Sequence, residues 1–151
     1  LVSLLKPFGC KILVNDIIDQ TDYYQSNGLV ECSKEEIYRQ ADIVTVHTPL
    51  DKTTRGSFNA DVFRQMKNTA YFVNCARGGI VVQSDLKYAL LNGVIAGAAI
   101  DVFESEPDTD HEFLKLKNLV CTPHTGGSSD EAILAMGRSA ISHLTKFFTS
   151  G

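Results

Sequence analysis

A strand, a helix and a second strand follow one another in residues 70–102, which read AYFVNCARGGIVVQSDLKYALLNGVIAGAAIDV. A strand is predicted over residues 70–74, a helix over 84–92 closed by Gly93, and a strand over 94–102. Strands that are nearly continuous apolar runs are typical of a parallel sheet buried on both faces. The small residues of the second strand also indicate that something packs closely against it.

The same alternation continues on both sides of residues 70–102. Further short apolar runs have strand character, and polar, glycine or proline residues follow them. Helical segments lie between these runs, so we predict one α/β domain with a doubly wound parallel sheet that helices cover on both faces. The further strands are predicted over residues 11–16, 29–32, 42–46 and 119–122.

Capping residues mark several helix boundaries. Ser33 and Glu36 have the spacing of a capping box, and so do Ser128 and Glu131 at the start of a long C-terminal helix. Apolar residues recur at helical spacing in that last helix, which predicts an amphipathic helix packed on the core. Those residues are Ile133, Met136, Ala140, Leu144 and Phe147; the other helices are predicted over residues 1–8, ended by Gly9, over 33–40, and over 59–66, capped by Asn59.

Composition narrows the class of protein. The 151 residues weigh 16.6 kDa, which suits one domain with a core of its own. The 14 basic and 18 acidic residues give a net charge of −4, which disfavours nucleic acid as a partner. Since no apolar run is long enough to cross a bilayer, a soluble protein without membrane contact is predicted.

The four cysteines Cys10, Cys32, Cys75 and Cys121 lie far apart and form no CxxC pair. This spacing indicates neither a zinc site nor a disulfide framework, and no other metal site is predicted. We expect reduced, mostly buried thiols, as in a cytosolic protein.

Two charged residues stand where an open parallel sheet binds ligands, beyond the carboxyl ends of its strands. Asp16 ends an early strand, where a carboxylate accepts hydrogen bonds from the ribose hydroxyls of a dinucleotide and repels a 2′-phosphate. Arg77 lies in a glycine-flanked turn, where its guanidinium suits a carboxylate and the glycines would let a ligand approach the backbone. Each residue is equally compatible with an ordinary turn.

His124 and Glu106 follow neighbouring predicted strands. A histidine is suited to protonating a carbonyl oxygen near neutral pH, and a carboxylate beside it would orient the ring. The alternatives are a histidine packed at a helix entry and a solvated acid in an acidic loop. Gly126 and Gly127 are compatible either with an anion at a helix N-terminus or with a common turn.

Three blocks of sequence resemble the NAD-binding domain of D-isomer-specific 2-hydroxyacid dehydrogenases, most closely the D-3-phosphoglycerate dehydrogenases. The resemblance covers essentially the whole chain. It implies a Rossmann-like sheet and NAD-dependent hydride transfer between nicotinamide and a small 2-hydroxy or 2-keto acid. The blocks are VTVHTPL at 44–50, VNCARGGIV at 73–81, and AAIDVFESEP at 98–107 followed by TPHTGG at 122–127.

The resemblance also implies roles for individual residues. Arg77 would bind the substrate, His124 would be the acid/base group, and Glu106 would be the partner of His124. Asp101 would hold the nicotinamide carboxamide and Asp16 the adenosine ribose. The other positions that would line the cofactor are Thr48, Pro49, Cys75, Ala76 and the turn formed by residues 124–127, including Gly126 and Gly127.

Two parts of the family pattern are missing from the sequence, the GxGxxG phosphate loop and the substrate domain. We therefore expect residues 1–151 to be a partial NAD-binding domain that lacks the family's first strand. That strand is central in the usual order 3-2-1-4-5-6, so its loss leaves two buried edges open. We predict that the first strand is displaced, that the two edges close on each other, or that a second molecule fills the gap.

Other functions are compatible with the same residues. One is a nucleotide-sensing interaction module that resembles corepressors with this fold. Another is a glyoxylate or lactate dehydrogenase of the same family, whereas a formate enzyme would need glutamine in place of Glu106. The resemblance further implies a homodimer or a higher homo-oligomer.

Overall fold

Residues 1–149 are described by a computed structural model, and they contain six strands in two parallel sheets. The strands are β1 (Leu13–Val14), β2 (Val30–Glu31), β3 (Ile43–Val46), β4 (Tyr71–Asn74), β5 (Gly97–Ile100) and β6 (Leu119–Cys121). β1 pairs with β2, and the larger sheet has the order β3-β4-β5-β6. The predicted α/β class with parallel strands is confirmed.

Several predicted helix starts are also confirmed. Ser33 and Glu36 form a capping box, in which the Ser33 Oγ accepts from the Glu36 N–H at 3.2 Å and the Glu36 carboxylate accepts from the Ser33 N–H at 2.8 Å. Asn59 caps its helix by accepting from the Asp61 and Val62 N–H groups. The helices are α1 (Val2–Leu5), α2 (Thr21–Asn27), α3 (Lys34–Gln40), α4 (Ala60–Gln65), α5 (Gln83–Leu91) and α6 (Asp130–Thr149).

One face of the larger sheet packs against α3, α4 and α5 to form the core. Phe72 of β4 is fully buried, and its ring centroid lies 4.9 Å from that of Phe58 and 5.4 Å from that of Phe63. Leu86 of α5 and Ala98 of β5 are buried in the same cluster. Each large apolar side chain buried in this way contributes on the order of 2 kcal/mol, so this face gives the strand-end loops a rigid base.

The opposite face of the larger sheet is open, unlike the predicted coverage by helices on both faces. Ile43, Tyr71 and Val120, from β3, β4 and β6, are 62, 53 and 68% exposed. The difference arises because α3, α4 and α5 all contribute their apolar residues to the other face. The small residues of β5 nevertheless have close neighbours, since a Cβ on Gly97 would lie 2.9 Å from the Asn118 carbonyl oxygen and 3.0 Å from the Tyr71 ring.

The sheet is interrupted between β1 and β3. Within residues 1–149, no ladder joins β1 to β3, so the two edges do not close on each other. Each of these strands therefore presents one edge that no described strand pairs with.

The start of α6 differs from its prediction. The helix begins at Asp130, and Ser129 rather than Ser128 caps it, because the Ser129 Oγ accepts from the Ala132 N–H at 3.2 Å. The predicted capping box of Ser128 and Glu131 is wrong. The two serines are adjacent, and the sequence pattern alone does not separate them.

The packing of α6 also differs from its prediction. None of its 20 residues is buried, and apolar side chains such as Ile133 and Phe147 are 54 and 77% exposed. The predicted contact with the core is therefore wrong, because within residues 1–149 the apolar side chains of α6 are not part of the core cluster. Among residues 1–149, no helix is both long enough and apolar enough to cross a membrane.

Two further expectations need correction. The sequence did not predict α2, which has no apolar stripe. Its ends are marked by Asp19, which accepts from the Thr21 N–H at 3.0 Å, and by Gly28 at φ 67°.

All four thiols are free, as predicted, but Cys10 and Cys75 are exposed and the other two are only half-buried. The prediction of mostly buried thiols is wrong because the first three cysteines lie at element ends or in loops and not on the core face.

Candidate functional site

Four polar loops begin at one edge of the larger sheet. β3, β4, β5 and β6 end in register, since each of their last residues is the partner of the next across the sheet. The loops that follow are residues 47–50, 75–79, 101–107 and 122–127. Most of the predicted site residues lie in these loops, where an open parallel sheet binds its ligands.

A buried asparagine folds the loop that carries Arg77. Asn74 is 1% exposed; its Nδ2 donates to the Arg77 carbonyl at 3.0 Å and its Oδ1 accepts from the Ala76 N–H at 3.0 Å. The exposed Arg77 guanidinium donates to the Ala76 carbonyl at 2.6 Å and, within residues 1–149, pairs with no carboxylate. The loop therefore presents a cation that an anionic ligand can reach.

The glycines after Arg77 do not leave space for a ligand, contrary to the prediction. A Cβ on Gly78 would overlap the carbonyl group of Phe103, and a Cβ on Gly79 would lie 3.1 Å from the Leu50 side chain. The chain itself occupies the space that the missing side chains leave. Because Gly78 has no side chain, the Arg77 turn packs directly on the loop that follows β5, and that loop carries Glu106.

Glu106 and His124 form a hydrogen-bonded pair. The Glu106 Oε2 lies 2.8 Å from the His124 Nδ1, and the Glu106 Oε1 accepts from the Phe103 N–H at 3.0 Å. The bond from His124, followed by the bond from Phe103, holds the pKa of Glu106 below its ordinary value, so this carboxyl is ionised at neutral pH. Because a carboxylate only accepts, Nδ1 carries the proton and Nε2 is left for other partners.

Asp101 holds the turn in which His124 adopts a left-handed backbone, φ 54°. Its carboxylate, 5% exposed, accepts from the Thr125 and Gly126 N–H groups at 2.8 Å each and from the Thr122 hydroxyl. Burial alone would raise the pKa of Asp101, but these three bonds, together with the electrostatic effect of His124, outweigh it and lower the pKa. The left-handed backbone of His124 is a strained conformation that needs such support.

The remaining predicted residues occupy the same edge. Thr48, Pro49 and Cys75 are exposed on the loops that follow β3 and β4, and Ala76 is half-buried. Gly127 has open space around it, whereas a Cβ on Gly126 would lie 2.9 Å from the Asp101 Oδ2.

Asp16 lies apart from these residues, after β1 in the two-stranded sheet. Its Oδ1 accepts from the Ile18 N–H at 3.1 Å and its Oδ2 from the Gln20 Nε2 at 3.3 Å. The structure thus brings Glu106 and His124 into contact, places Arg77 on the adjoining loop, and leaves Asp16 on a separate sheet. Within residues 1–149, no three metal-ligating side chains lie together.

Two residues of the site were missed by sequence reasoning, Asn74 and Gln83. An amide at the end of an apolar strand, directly before a turn, is a signal that pointed to Asn74. The Gln83 Nε2 donates to the Asp108 carboxylate at 2.6 Å, and its Oε1 accepts from the Glu104 N–H at 3.3 Å. These partners lie 25 and 21 residues away, so no local pattern points to Gln83.

The family described as D-isomer specific 2-hydroxyacid dehydrogenase, NAD binding domain, matches residues 1–126. The chain belongs to this family. The predicted resemblance is confirmed, and D-3-phosphoglycerate dehydrogenase from Bacillus subtilis (strain 168) is 37% identical over 142 residues, 94% of the chain. Glyoxylate reductase from Korarchaeum cryptofilum is 38% identical over 143 residues, also 94% of the chain.

Solved structures of this dehydrogenase family share the fold. D-lactate dehydrogenase from Aquifex aeolicus, complexed with NAD and lactic acid, superposes with a TM-score of 0.88 at 25% identity and covers 99% of the chain. The chain spans 49% of that structure, 27% of the Bacillus enzyme and 43% of the glyoxylate reductase.

Proposed function

We propose that this chain is the NAD-binding part of an NAD-dependent oxidoreductase of the phosphoglycerate dehydrogenase type. It would transfer a hydride between nicotinamide and a D-2-hydroxy acid or its 2-keto acid. The observation that carries the proposal is the contact of 2.8 Å between Glu106 and His124 at the strand edge that also presents Arg77. A cation that holds a carboxylate and an imidazole oriented by a carboxylate suit the interconversion of hydroxy and keto acids.

The residues present fit a dinucleotide at both sheets. Asp16 offers carboxylate oxygens for ribose hydroxyls, and beside it Ile17 and Ile18, 95 and 65% exposed, offer an apolar surface for a base. At the larger sheet, residues 47–49 are exposed above the strand edge. Bound NAD would supply the hydride acceptor at nicotinamide C4. The contact of Asp101 with the nicotinamide carboxamide remains a prediction. Both carboxylate oxygens of Asp101 already accept hydrogen bonds within the chain.

His124 has the geometry of the acid/base group. Its Nε2 would take the proton of the substrate C2 hydroxyl during oxidation and return it during reduction. Glu106 accepts from Nδ1 throughout, which fixes the tautomer and stabilises the ring when it is charged. Arg77 would bind the substrate carboxylate through two parallel hydrogen bonds.

Glyoxylate reduction is a second candidate, because a glyoxylate reductase matches as much of the chain, at 38% identity, as the Bacillus phosphoglycerate dehydrogenase. Steady-state assays of the full gene product separate the two. We expect NAD-dependent oxidation of D-3-phosphoglycerate with a higher kcat/KM than NADH-dependent reduction of glyoxylate. The reverse ranking favours the second candidate, and turnover of neither substrate, or of any small 2-hydroxy acid, contradicts the proposed function.

Replacing Asp16 with alanine is expected to relax the preference for NADH over NADPH. Removing the carboxylate removes its repulsion of the 2′-phosphate, so the ratio of the NADPH to the NADH Kd should fall by at least about tenfold, or about 1.4 kcal/mol. Titration of the chain with each reduced cofactor, followed by the fluorescence of the nicotinamide, measures both constants. The Asp22→Ala variant, an exposed acid on α2, is the control; equal ratios in both variants exclude Asp16 from the ribose site.

We also infer, from the family resemblance and the free thiols, a cytoplasmic protein that assembles as a homodimer or a higher homo-oligomer. Light scattering of the full gene product tests the assembly.

A further inference from the structure

A glutamine side chain of α5 forms hydrogen bonds with the loop that carries Glu106. The Gln83 Nε2 donates to the Asp108 Oδ2 at 2.6 Å, and the Gln83 Oε1 accepts from the Glu104 N–H at 3.3 Å. Its two partners lie two residues before and two residues after Glu106. The amide therefore spans the segment that presents the carboxylate.

A second anchor on the same face of α5 holds the far end of the loop. Lys87, one helical turn after Gln83, bonds the Asp110 carboxylate at 2.9 Å and the Glu112 carboxylate at 2.6 Å. Asp108 continues the chain of contacts, because its Oδ1 accepts from the Asp110 N–H at 2.8 Å. The loop is thus fixed at successive points, and Gln83 is the point next to Glu106.

The amide of Gln83 satisfies both of its partners at once. The Asp108 carboxylate needs a donor, and the Glu104 N–H needs an acceptor. Glutamate at this position would keep the acceptor but face Asp108 with a like charge. Methionine has a similar length but offers neither a donor nor a comparable acceptor.

We propose that Gln83 is a positioning residue for the Glu106–His124 pair, because it holds the loop that aims the Glu106 carboxylate at the His124 Nδ1. This inference deepens the proposed function and rests on it for its effect on turnover. The geometry of the pair, however, exists in the chain without cofactor or substrate and is measured there.

The first measurement is the titration of the Glu106 carboxyl by ¹³C NMR in the chain without cofactor. The charged groups that face Glu106 are His124, whose bond lowers the carboxyl pKa, and Asp101, which raises it. In Gln83→Met, which changes no charge, we expect the pKa of Glu106 to rise toward its ordinary value as the bonds from His124 and Phe103 loosen. An unchanged pKa in this variant overturns the proposal.

A swap of donor and acceptor gives the rescue. Gln83→Glu alone is expected to raise the pKa of Glu106, partly through its added charge. The double variant Gln83→Glu with Asp108→Asn restores the net charge and lets the amide introduced at position 108 donate to the carboxylate introduced at position 83. We expect the swap to return the pKa to within experimental error of the original value, and failure to do so in a folded double variant contradicts the proposal.

Turnover supplies the second readout, in the full gene product. Gln83→Met is expected to lower kcat about 10- to 100-fold with a much smaller change in KM, because misplacement of a catalytic group by a fraction of an ångström is costly. The swap should recover most of that loss. The control is Gln25→Glu on α2, an exposed glutamine whose side chain makes no hydrogen bond within residues 1–149.

The two readouts separate the two claims. If the swap restores the pKa but no 2-hydroxy acid is turned over by the unmodified protein, the proposed function fails and the positioning of the pair stands. If the unmodified protein turns over its substrate and Gln83→Met leaves both the pKa and kcat unchanged, the positioning role fails and the proposed function stands.

Discussion

Replacing Gly78 with alanine is expected to lower the free energy of unfolding by at least about 3 kcal/mol, at the upper end of the cost of overpacking. The added Cβ would overlap the carbonyl group of Phe103 and lie 2.7 Å from the Glu104 nitrogen. Both neighbours are backbone atoms, so no side chain can rotate to relieve the overlap. Because the Phe103 N–H bonds Glu106, the displaced loop would also carry the Glu106–His124 pair away from its position. Urea unfolding followed by circular dichroism measures the loss.

Gly137→Ala is the matched control for this prediction. Gly137 lies in α6 with nothing within 4 Å of an added Cβ, so alanine there should leave stability unchanged or raise it by up to about 1 kcal/mol. Equal unfolding curves for the two variants would contradict the prediction, because they would mean that the close contact of Gly78 with Phe103 does not affect stability. Loss of soluble protein in Gly78→Ala alone agrees with the prediction.

The fold class followed from the sequence because it depends on local patterns. The apolar runs of residues 70–74 and 94–102 contain β4 and β5, and the Ser33 and Asn59 caps stand where the side chains predicted them. These patterns depend only on residues that are close together in the sequence. The open sheet face and the exposed α6 were not predicted. Apolar periodicity identifies the face of an element that would be buried by a packing partner, but it does not show whether that partner is present.

The candidate site was predicted in part. Glu106 and His124 were expected to meet because they follow neighbouring strands, and they lie 2.8 Å apart. The role of Gly78 was misjudged, since a glycine in a turn is equally compatible with a ligand and with a backbone such as that of Phe103 nearby. Gln83 was missed because its partners lie more than 20 residues away in the sequence.

His124→Ala is expected to lower kcat about 10²- to 10⁴-fold in the full gene product, the range that a positioned general acid or base contributes. The variant removes the only group in the pair whose nitrogen can exchange a proton with the substrate oxygen. NADH affinity should change far less than kcat, because proton transfer depends on the His124 ring, whereas the other predicted cofactor positions keep their side chains. The control is His143→Ala, an exposed histidine on α6. Similar turnover in both variants contradicts the acid/base role.

Glu106→Gln tests the other half of the pair. The amide keeps the shape and can accept from Nδ1, but it cannot offset the charge of a protonated ring. We therefore expect kcat to fall by about tenfold or more, but by less than in His124→Ala.

The pKa of Glu106 lies below its ordinary value of 4.5 because of the bonds from His124 and Phe103. A carboxyl lowered in this way contributes stability that is fully present above pH 4.5 and is lost as the pH falls through the lowered value. The unmodified protein should therefore lose stability in that acidic range and Glu106→Gln should lack that component, so identical acid limbs in the two proteins would mean that the pair does not form in solution.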